Sequence, residues 1–285
     1  MLKIKQVLLV AFFGLSTCVQ KIYGEWNAQE YATSNGGQFK YALQELPKLG
    51  LKGSELILDV GCGNGAISLY IAREYVPRGE VEGLDNDNGM ITCAVTNTHP
   101  HASNISFICA DILEYTSEKQ YDAVVSFWCL HWVLDYVGAL KNIAQLLRPG
   151  GKALICHVID YNPLERWVAE VLSKQEWAAL RPLYTKMLQP PSLEIVIDAL
   201  RQSALIIEHI EIKKNAEWVP FDVYKKNLLS TPLFNFVPLE WRDQFVQDVL
   251  KESMHDAPVH EQGYVGSRKS SILYWLPVIV MIVSK

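Results

Sequence analysis

No CxxC pair and no His/Cys zinc spacing occurs in the 285 residues, although Cys18, Cys62, Cys93, Cys109, Cys129 and Cys156 are present. The common zinc and dithiol readings are therefore excluded. The cysteines are expected to be small, reduced core residues, which suits a reducing compartment. A basic surplus is missing too: 26 Lys and Arg stand against 31 Asp and Glu, a net charge of −5 with a pI near 5.8. That leaves no electrostatic footprint for nucleic acid and makes a small-molecule partner the better expectation. Internal repeats and low-complexity tracts are also absent. The C-terminal "ILYWLPVIVMIVSK" carries only about a dozen apolar residues, broken by Pro277, too few to span a bilayer. It reads as a final buried strand.

Two local patterns also fail. "DNDNGM" from Asp85 suggests a calcium loop, but the fifth, sixth and twelfth places hold Gly89, Met90 and Thr96. The sequon at Asn104 runs into a core strand. "MLKIKQVLLVAFFGLSTC" is different: Lys3 and Lys5 precede an apolar run from Val7 to Leu15, the shape of a short signal peptide. Residues 1–22 are thus either a signal or anchor, or an N-terminal extension or misassigned start, and take no part in the fold argument.

What is there is alternation. Short apolar strands are predicted at Glu55–Val60, Val81–Leu84, Ile105–Cys109, Ala123–Phe127 and Ala153–Val158. Helical stretches such as Ile67–Glu74, Met90–Thr96 and Val137–Leu147 separate them. This pattern predicts an α/β fold, a parallel sheet covered on both faces. Residues 23–49 read as helical, broken at Gly36 and Gly37. Residues 160–204 read as a helical insert rich in Trp, Tyr and Leu, followed by a strand at Ile206–Ile212 and helices at Val223–Leu229 and Leu239–Met254. One domain, 23–285, results.

Asp59, Asp85 and Asp111 follow the first three strands at intervals of 26 residues, the length of one strand–helix unit. In a parallel sheet all three emerge at the carboxyl edge, where open α/β folds bind ligands. Between the first two lies "GCGNGA". Gly61, Gly63 and Gly65 allow a tight turn and close backbone approach, and a helix starting at Ala66 points its amino end at the ligand. The glycines alone also satisfy a dinucleotide fingerprint. The flanking acids separate the two cases. Asp59 favours a ligand with an ammonium group and would sit uncomfortably near a pyrophosphate, while Asp111 offers an acceptor for an exocyclic amine.

"LDVGCGNG", "VEGLDNDNGMI", "FICADILEY", "YDAVVSFWCLHW" and "LLRPGGKALI", in this order and spacing, resemble class I methyltransferases that use S-adenosylmethionine. The resemblance covers roughly residues 26–159. "WNAQEYATSNGGQ" and "FWCLHW" are most similar to the trans-aconitate, juvenile hormone acid and malonyl-carrier-protein carboxyl methyltransferases. It implies a Rossmann-like, seven-stranded, mostly parallel sheet with a helical insert over the substrate side. It also implies roles. Asp59, Gly61, Cys62, Gly63 and Gly65 would hold the methionine part and Asp85 the ribose hydroxyls. Asp111 would hold the adenine amine, with Asn86, Met90 and Ile112 flanking the ring. Ser126 and Phe127 would face the sulfonium, and Tyr31 and Gln38 would close over the cofactor.

No metal is expected. A carboxylate acceptor is already deprotonated near neutral pH and needs no general base, which fits the lack of an evident acid–base pair. His131, beside Trp132, is a candidate acceptor contact. Trp128, Trp132, Tyr161, Trp167, Trp177 and Tyr184 are candidates for an aromatic lid, and Arg166 or Arg181 for the acceptor's charge. The expected activity is methylation of a small molecule, first of all at a carboxyl group. Acyl-carrier, phenol or amine acceptors are the alternatives, and an NAD(P)-dependent oxidoreductase or a non-catalytic relic used as an interaction module are the rivals from other classes. The catalytic domain is expected in the cytoplasm, where the cosubstrate is made, with export or membrane anchoring left open by the N-terminal segment.

Overall fold

The apolar runs pair as their composition requires. In the computed structural model, which describes residues 25–34, 36–99, 101–160, 163–184, 189–255 and 271–285, β1 (Leu56–Val60), β2 (Glu80–Asp85), β3 (Ile105–Cys109), β4 (Tyr121–Phe127) and β5 (Leu147–Val158) are parallel. Two long strands, β6 (Ile206–Pro220) and β7 (Ser271–Ser284), complete a sheet of order β3-β2-β1-β4-β5-β7-β6, with β7 antiparallel to both neighbours. The predicted signal-like residues 1–22 lie outside the described residues.

Because strand side chains alternate, each strand feeds two cores. Leu58, Val60, Val124 and Ile155 face one side, under α5 (Tyr136–Leu146) and α7 (Leu193–Ser203). Ile57, Val125, Leu154 and Cys156 face the other, under α2 (Gly36–Glu45) and the helix that begins with α3 (Ala66–Tyr70) and closes in a wider turn at Ile71–Tyr75. Before α2 comes the short α1 (Ala28–Ser34), and α4 (Asn88–Thr98) follows β2, its first turn capped by the Asp87 carboxylate accepting the Met90 N–H at 3.0 Å.

A third core lies off the sheet. α6 (Leu164–Ser173), the turns at Gln175–Leu183, α8 (Phe221–Ser230) and α9 (Leu239–His255) bury Trp167, Trp177, Phe234 and Phe245 together. Within the stretch expected to form the insert, α7 packs on the sheet-side core instead, while α8 and α9 from beyond it join α6. Among the described residues no helix is long and apolar enough to cross a membrane.

Several polar residues tie distant segments. Asn104 spends its amide on the carbonyls of Ala72, Val76 and Gly79 at 3.0–3.2 Å, so the sequon nitrogen is fully engaged in structure. Of the five described cysteines, all free, Cys62 and Cys156 are buried; Cys109 is exposed, contrary to the expectation of a core position, because it ends β3 at the sheet's edge. Glu45, fully buried at the end of α2, pairs with Lys213 of β6 and with Lys48 at 2.7 Å. Burial alone would raise its pKa, but the two ammonium groups hold it below the ordinary value. Glu45→Ala should cost about 1.5–3 kcal/mol in urea unfolding, the worth of hydrogen bonds to charged groups, because it leaves both lysines only the longer contacts to Glu211, at 3.6 and 3.8 Å. An unchanged midpoint would show that the pair contributes nothing.

Candidate functional site

At the carboxyl edge β1 gives way to the glycine turn, which is pinned to β2. The N–H groups of Gly61 and Cys62 both donate to the Leu84 carbonyl, at 2.7 and 3.0 Å, and that of Gly63 donates to Asp85 Oδ2 at 2.9 Å. Gly61 and Gly63 have φ of 76° and 53°, values that L side chains rarely adopt. A Cβ on Gly61 would overlap the Cβ and Sγ of Cys129, and one on Gly63 would come within 3.2 Å of the Tyr31 ring. Glycine is therefore required twice over, by conformation and by space.

This turn forms one wall of a pocket of about 780 Å³, counting the space open to solvent at its mouth. Val60, Gly61 and Gly63 come from the first strand–helix unit, Leu84, Asp85, Asn86 and Met90 from the second, and Ala110, Asp111 and Ile112 from the end of β3. Phe127, Trp128, Cys129, Trp132 and Val133 line the side after β4, and Trp26 and Tyr31 cross over from the N-terminal segment.

The sequence-predicted residues divide. Asp85, Asp111, Asn86, Met90, Ile112, Gly61, Gly63, Phe127, Tyr31, Trp128 and Trp132 meet in the pocket wall. Five others stand behind it. Asp59 is buried beneath the turn, its Oδ2 accepting the Ser68 hydroxyl at 2.6 Å. Cys62 is buried with its thiol toward Gly83. Gly65 caps α3 against Phe107 and Ala94. Ser126 donates its one O–H to the Val60 carbonyl at 2.9 Å, which staples β4 to β1. His131 packs behind the indoles, 5.3 Å from Trp132 and 6.3 Å from Trp128. Gln38, on α2, is not among the lining residues.

The remaining lid and charge candidates go elsewhere. Trp167 and Trp177 are buried in the third core, where Trp177 Nε1 donates to Asp248 at 3.1 Å. Tyr184 packs on Phe236, and Tyr161 lies outside the described residues. Arg181 is spent on the carbonyls of Leu172 and Ser173, ending α6, and neither it nor Arg166 lines the pocket. Among the described lining residues there is no Lys or Arg.

Sequence reasoning missed Trp26. Its backbone N–H donates to the Asp87 carboxylate at 3.0 Å, and its ring meets Tyr31 at 5.8 Å and Trp132 at 5.5 Å, both edge-on. The only available signal was its place beside the "NAQEY" segment, since nothing in its spacing reports a contact 61 residues away. Cys129 was weighed only as a core thiol.

Burial dominates the electrostatics. It pushes Asp59 up to about 7 and Asp85 up to about 6, the latter against two backbone N–H donors, Gly63 and Asp87, each at 2.9 Å. Asp85 in the pocket wall, with Asp59 buried behind it, gains from a ligand that brings hydrogen-bond donors and positive charge.

Residues 57–151 match the family model described as methyltransferase domain. Those residues form a methyltransferase domain of the class I, S-adenosylmethionine-dependent kind. This methyltransferase is 27% identical over 234 residues, 80% of its length and 84% of the relative's, to protein 235L of invertebrate iridescent virus 6. It is 25% identical to the juvenile hormone acid O-methyltransferase of Drosophila melanogaster, over 70% of each chain. Among solved structures, the phosphoethanolamine N-methyltransferase 2 of Haemonchus contortus, crystallised with S-adenosyl-L-methionine, shares the fold with a TM-score of 0.60 at 17% identity. That match covers 94% of this chain and 59% of that one.

Gly61→Ala in the methyltransferase should force the turn off Leu84, since a left-handed Ala and a clash with Cys129 act together. S-Adenosylhomocysteine binding measured by calorimetry should weaken by at least about tenfold, roughly 1.4 kcal/mol. Affinity equal to wild type would show that the turn does not shape the pocket.

Proposed function

We propose that the pocket holds S-adenosylmethionine with Asp85 on the ribose hydroxyls, Asp111 toward the adenine amine, and Asn86, Met90 and Ile112 around the base. The turn from Gly61 to Gly65 would carry the methionine part, with Asp59 beneath it supplying negative charge. The observation that carries this reading is the Gly61–Gly63 cradle bonded to Leu84 and Asp85, a surface that a single Cβ would fill. When bound, the cosubstrate supplies a methyl group already activated on a sulfonium, transferred by in-line displacement.

The chain's own residues then position and exclude. Trp26, Tyr31, Trp128 and Trp132 wall the pocket with aromatic surface and keep water from the reacting atoms. Orientation of this kind is worth roughly 7–11 kcal/mol of a barrier. An ionised carboxyl acceptor needs no proton removed, so no acid–base group is demanded of the wall.

The acceptor, we infer, is a small molecule methylated at a carboxyl group, as the juvenile hormone acid relative's name indicates for that protein. The wall refines the class. With no lysine or arginine and with Asp85 and Asp111 present, it repels additional negative charge. A single carboxylate on an apolar body suits aromatic walls; tricarboxylates and phosphorylated acceptors do not. The described cysteines, all free, support a reducing compartment for the catalytic domain.

Asp85→Ala should abolish measurable S-adenosylhomocysteine binding while the protein stays folded, and unchanged affinity would refute the cofactor assignment. The pH dependence has a definite sign. Hydroxyl donors bind the ionised Asp85, whose pKa in the free enzyme is pushed up to about 6. Affinity for S-adenosylhomocysteine should therefore be flat well above that value and fall below it, by at most about tenfold per pH unit. Labelled methyl transfer should favour geranic or dodecanoic acid over trans-aconitate, and a reversed preference would contradict the charge argument. Stabilisation by NADP but not by S-adenosylhomocysteine in a thermal shift would favour an oxidoreductase.

A further inference from the structure

Asp87, at the start of α4, makes more bonds than a helix cap requires. It is fully buried and lies outside the pocket wall. Its Oδ1 accepts the Met90 N–H at 3.0 Å, which completes the cap, and its Oδ2 accepts the backbone N–H of Trp26 at 3.0 Å. Its own N–H donates to Asp85 Oδ1 at 2.9 Å. Asparagine or serine caps a helix as well as aspartate does, with a single acceptor oxygen. Serving two main-chain donors on separate oxygens takes a carboxylate. That carboxylate has a cost, because its charge adds to the burial that pushes the Asp85 pKa up. The cap alone does not call for that charge; the bond to Trp26 does.

Trp26 is the middle of a short strap, residues 25–27, whose flanks are bonded to the third core. The Asn235 amide donates to the Glu25 carbonyl at 3.3 Å, and the Asn27 N–H donates to the carbonyl of Ser230, the last residue of α8, at 3.0 Å. Asn27 also starts α1. Its Oδ1 accepts the Glu30 N–H at 3.2 Å and its carbonyl accepts the Tyr31 N–H at 2.9 Å. Tyr31 therefore sits about one helical turn beyond the Asp87 bond, with its ring over Gly63. The Trp26 ring lies between those of Tyr31 and Trp132, and Trp132 packs on the third core. The strap thus spans from the glycine turn to the third core, and Asp87 holds its centre two residues from Asp85.

We propose that Asp87 is a positioning residue for the methyl donor: through the Trp26 N–H it seats the strap, and with it the Trp26 and Tyr31 rings, against the donor's pocket. This rests on the donor reading above. Asp87 touches no reacting atom and acts only through the residues it holds. Because the bond is made to the main chain, it fixes the path of the strap and leaves the indole to be oriented by its ring neighbours. Strap and donor then stabilise each other. A donor that gains contacts with the seated rings must, by linkage, oppose release of the strap by the same factor.

Asp87→Asn keeps the shape and one acceptor for the α4 cap, but its amino group cannot accept the Trp26 N–H. The measurement belongs well above the value of about 6 to which Asp85 is raised, so that Asp85 is ionised in every variant. There S-adenosylhomocysteine should bind Asp87→Asn about fivefold to tenfold more weakly than wild type. Trp26→Pro removes the same N–H from the other side, and weakens binding by itself because a wall ring is lost. In that background Asp87→Asn should cost less than about twofold further, since both changes break one bond. In wild-type protein, hydrogen exchange at the Trp26 amide, followed by NMR, should slow when S-adenosylhomocysteine is added to saturation. Equal affinity in Asp87→Asn and wild type overturns the proposal. So does an equal loss from Asp87→Asn in both backgrounds, which places the effect in the α4 cap, or a Trp26 amide that exchanges at one rate with and without the ligand. The exchange measurement needs no variant and decides the matter where Asp87→Asn fails to fold. Wild-type protein that binds no S-adenosylhomocysteine overturns the donor reading itself.

Discussion

The pair of hydrogen bonds from Gly61 and Cys62 to the Leu84 carbonyl is the constraint from which the pocket takes its form. They tie the chain leaving β1 to the end of β2, so the turn cannot lift away from the sheet edge. Once the turn is held, Gly63 reaches Asp85, Cys129 fits against Gly61, and Tyr31 lies over Gly63. Each of these contacts needs the bare glycine backbone. The pocket is thus a consequence of strand pairing, with the glycines removing what would obstruct it.

Behind that wall the structure separates groups that touch the pocket from groups that hold the wall in place. Ser126 and Ser68 illustrate the second kind. Each hydroxyl donates to an internal partner, Val60 in one case and Asp59 in the other. Such bonds cost little and prevent the strand ends from splaying, which matters where two carboxylates are held against their preference for water. The Tyr136 hydroxyl is likewise bonded to His157.

Much of this was legible in the text of the chain. The strand–helix alternation, the intervals between Asp59, Asp85 and Asp111, and the glycine turn were readable because each depends on local periodicity and on the length of one repeating unit. One long strand was read short: β6, expected to end at Ile212, runs to Pro220, because Lys213, Lys214, Asn215 and Glu217 break the apolar pattern by which a buried strand is recognised. The destinations of Arg181, Trp177 and Gln38 were not readable, because a side chain's partner depends on how helices are packed, which no spacing reports. The third core shows the same limit, drawing on residues both inside and beyond the expected insert.

The sequence by itself determined the sheet, the edge at which a ligand sits and the acids available there, since these follow from hydrophobic period and chain length. Only the tertiary structure decided that Asp59 lies beneath the turn, that Trp26 crosses to the pocket, and that no cation lines the described wall. Those outcomes depend on long-range contacts, where the burial of one group is set by atoms from segments far away in the chain. A carboxylate, an indole and an arginine look equally available in a sequence; packing decides which of them still has a hydrogen bond to offer.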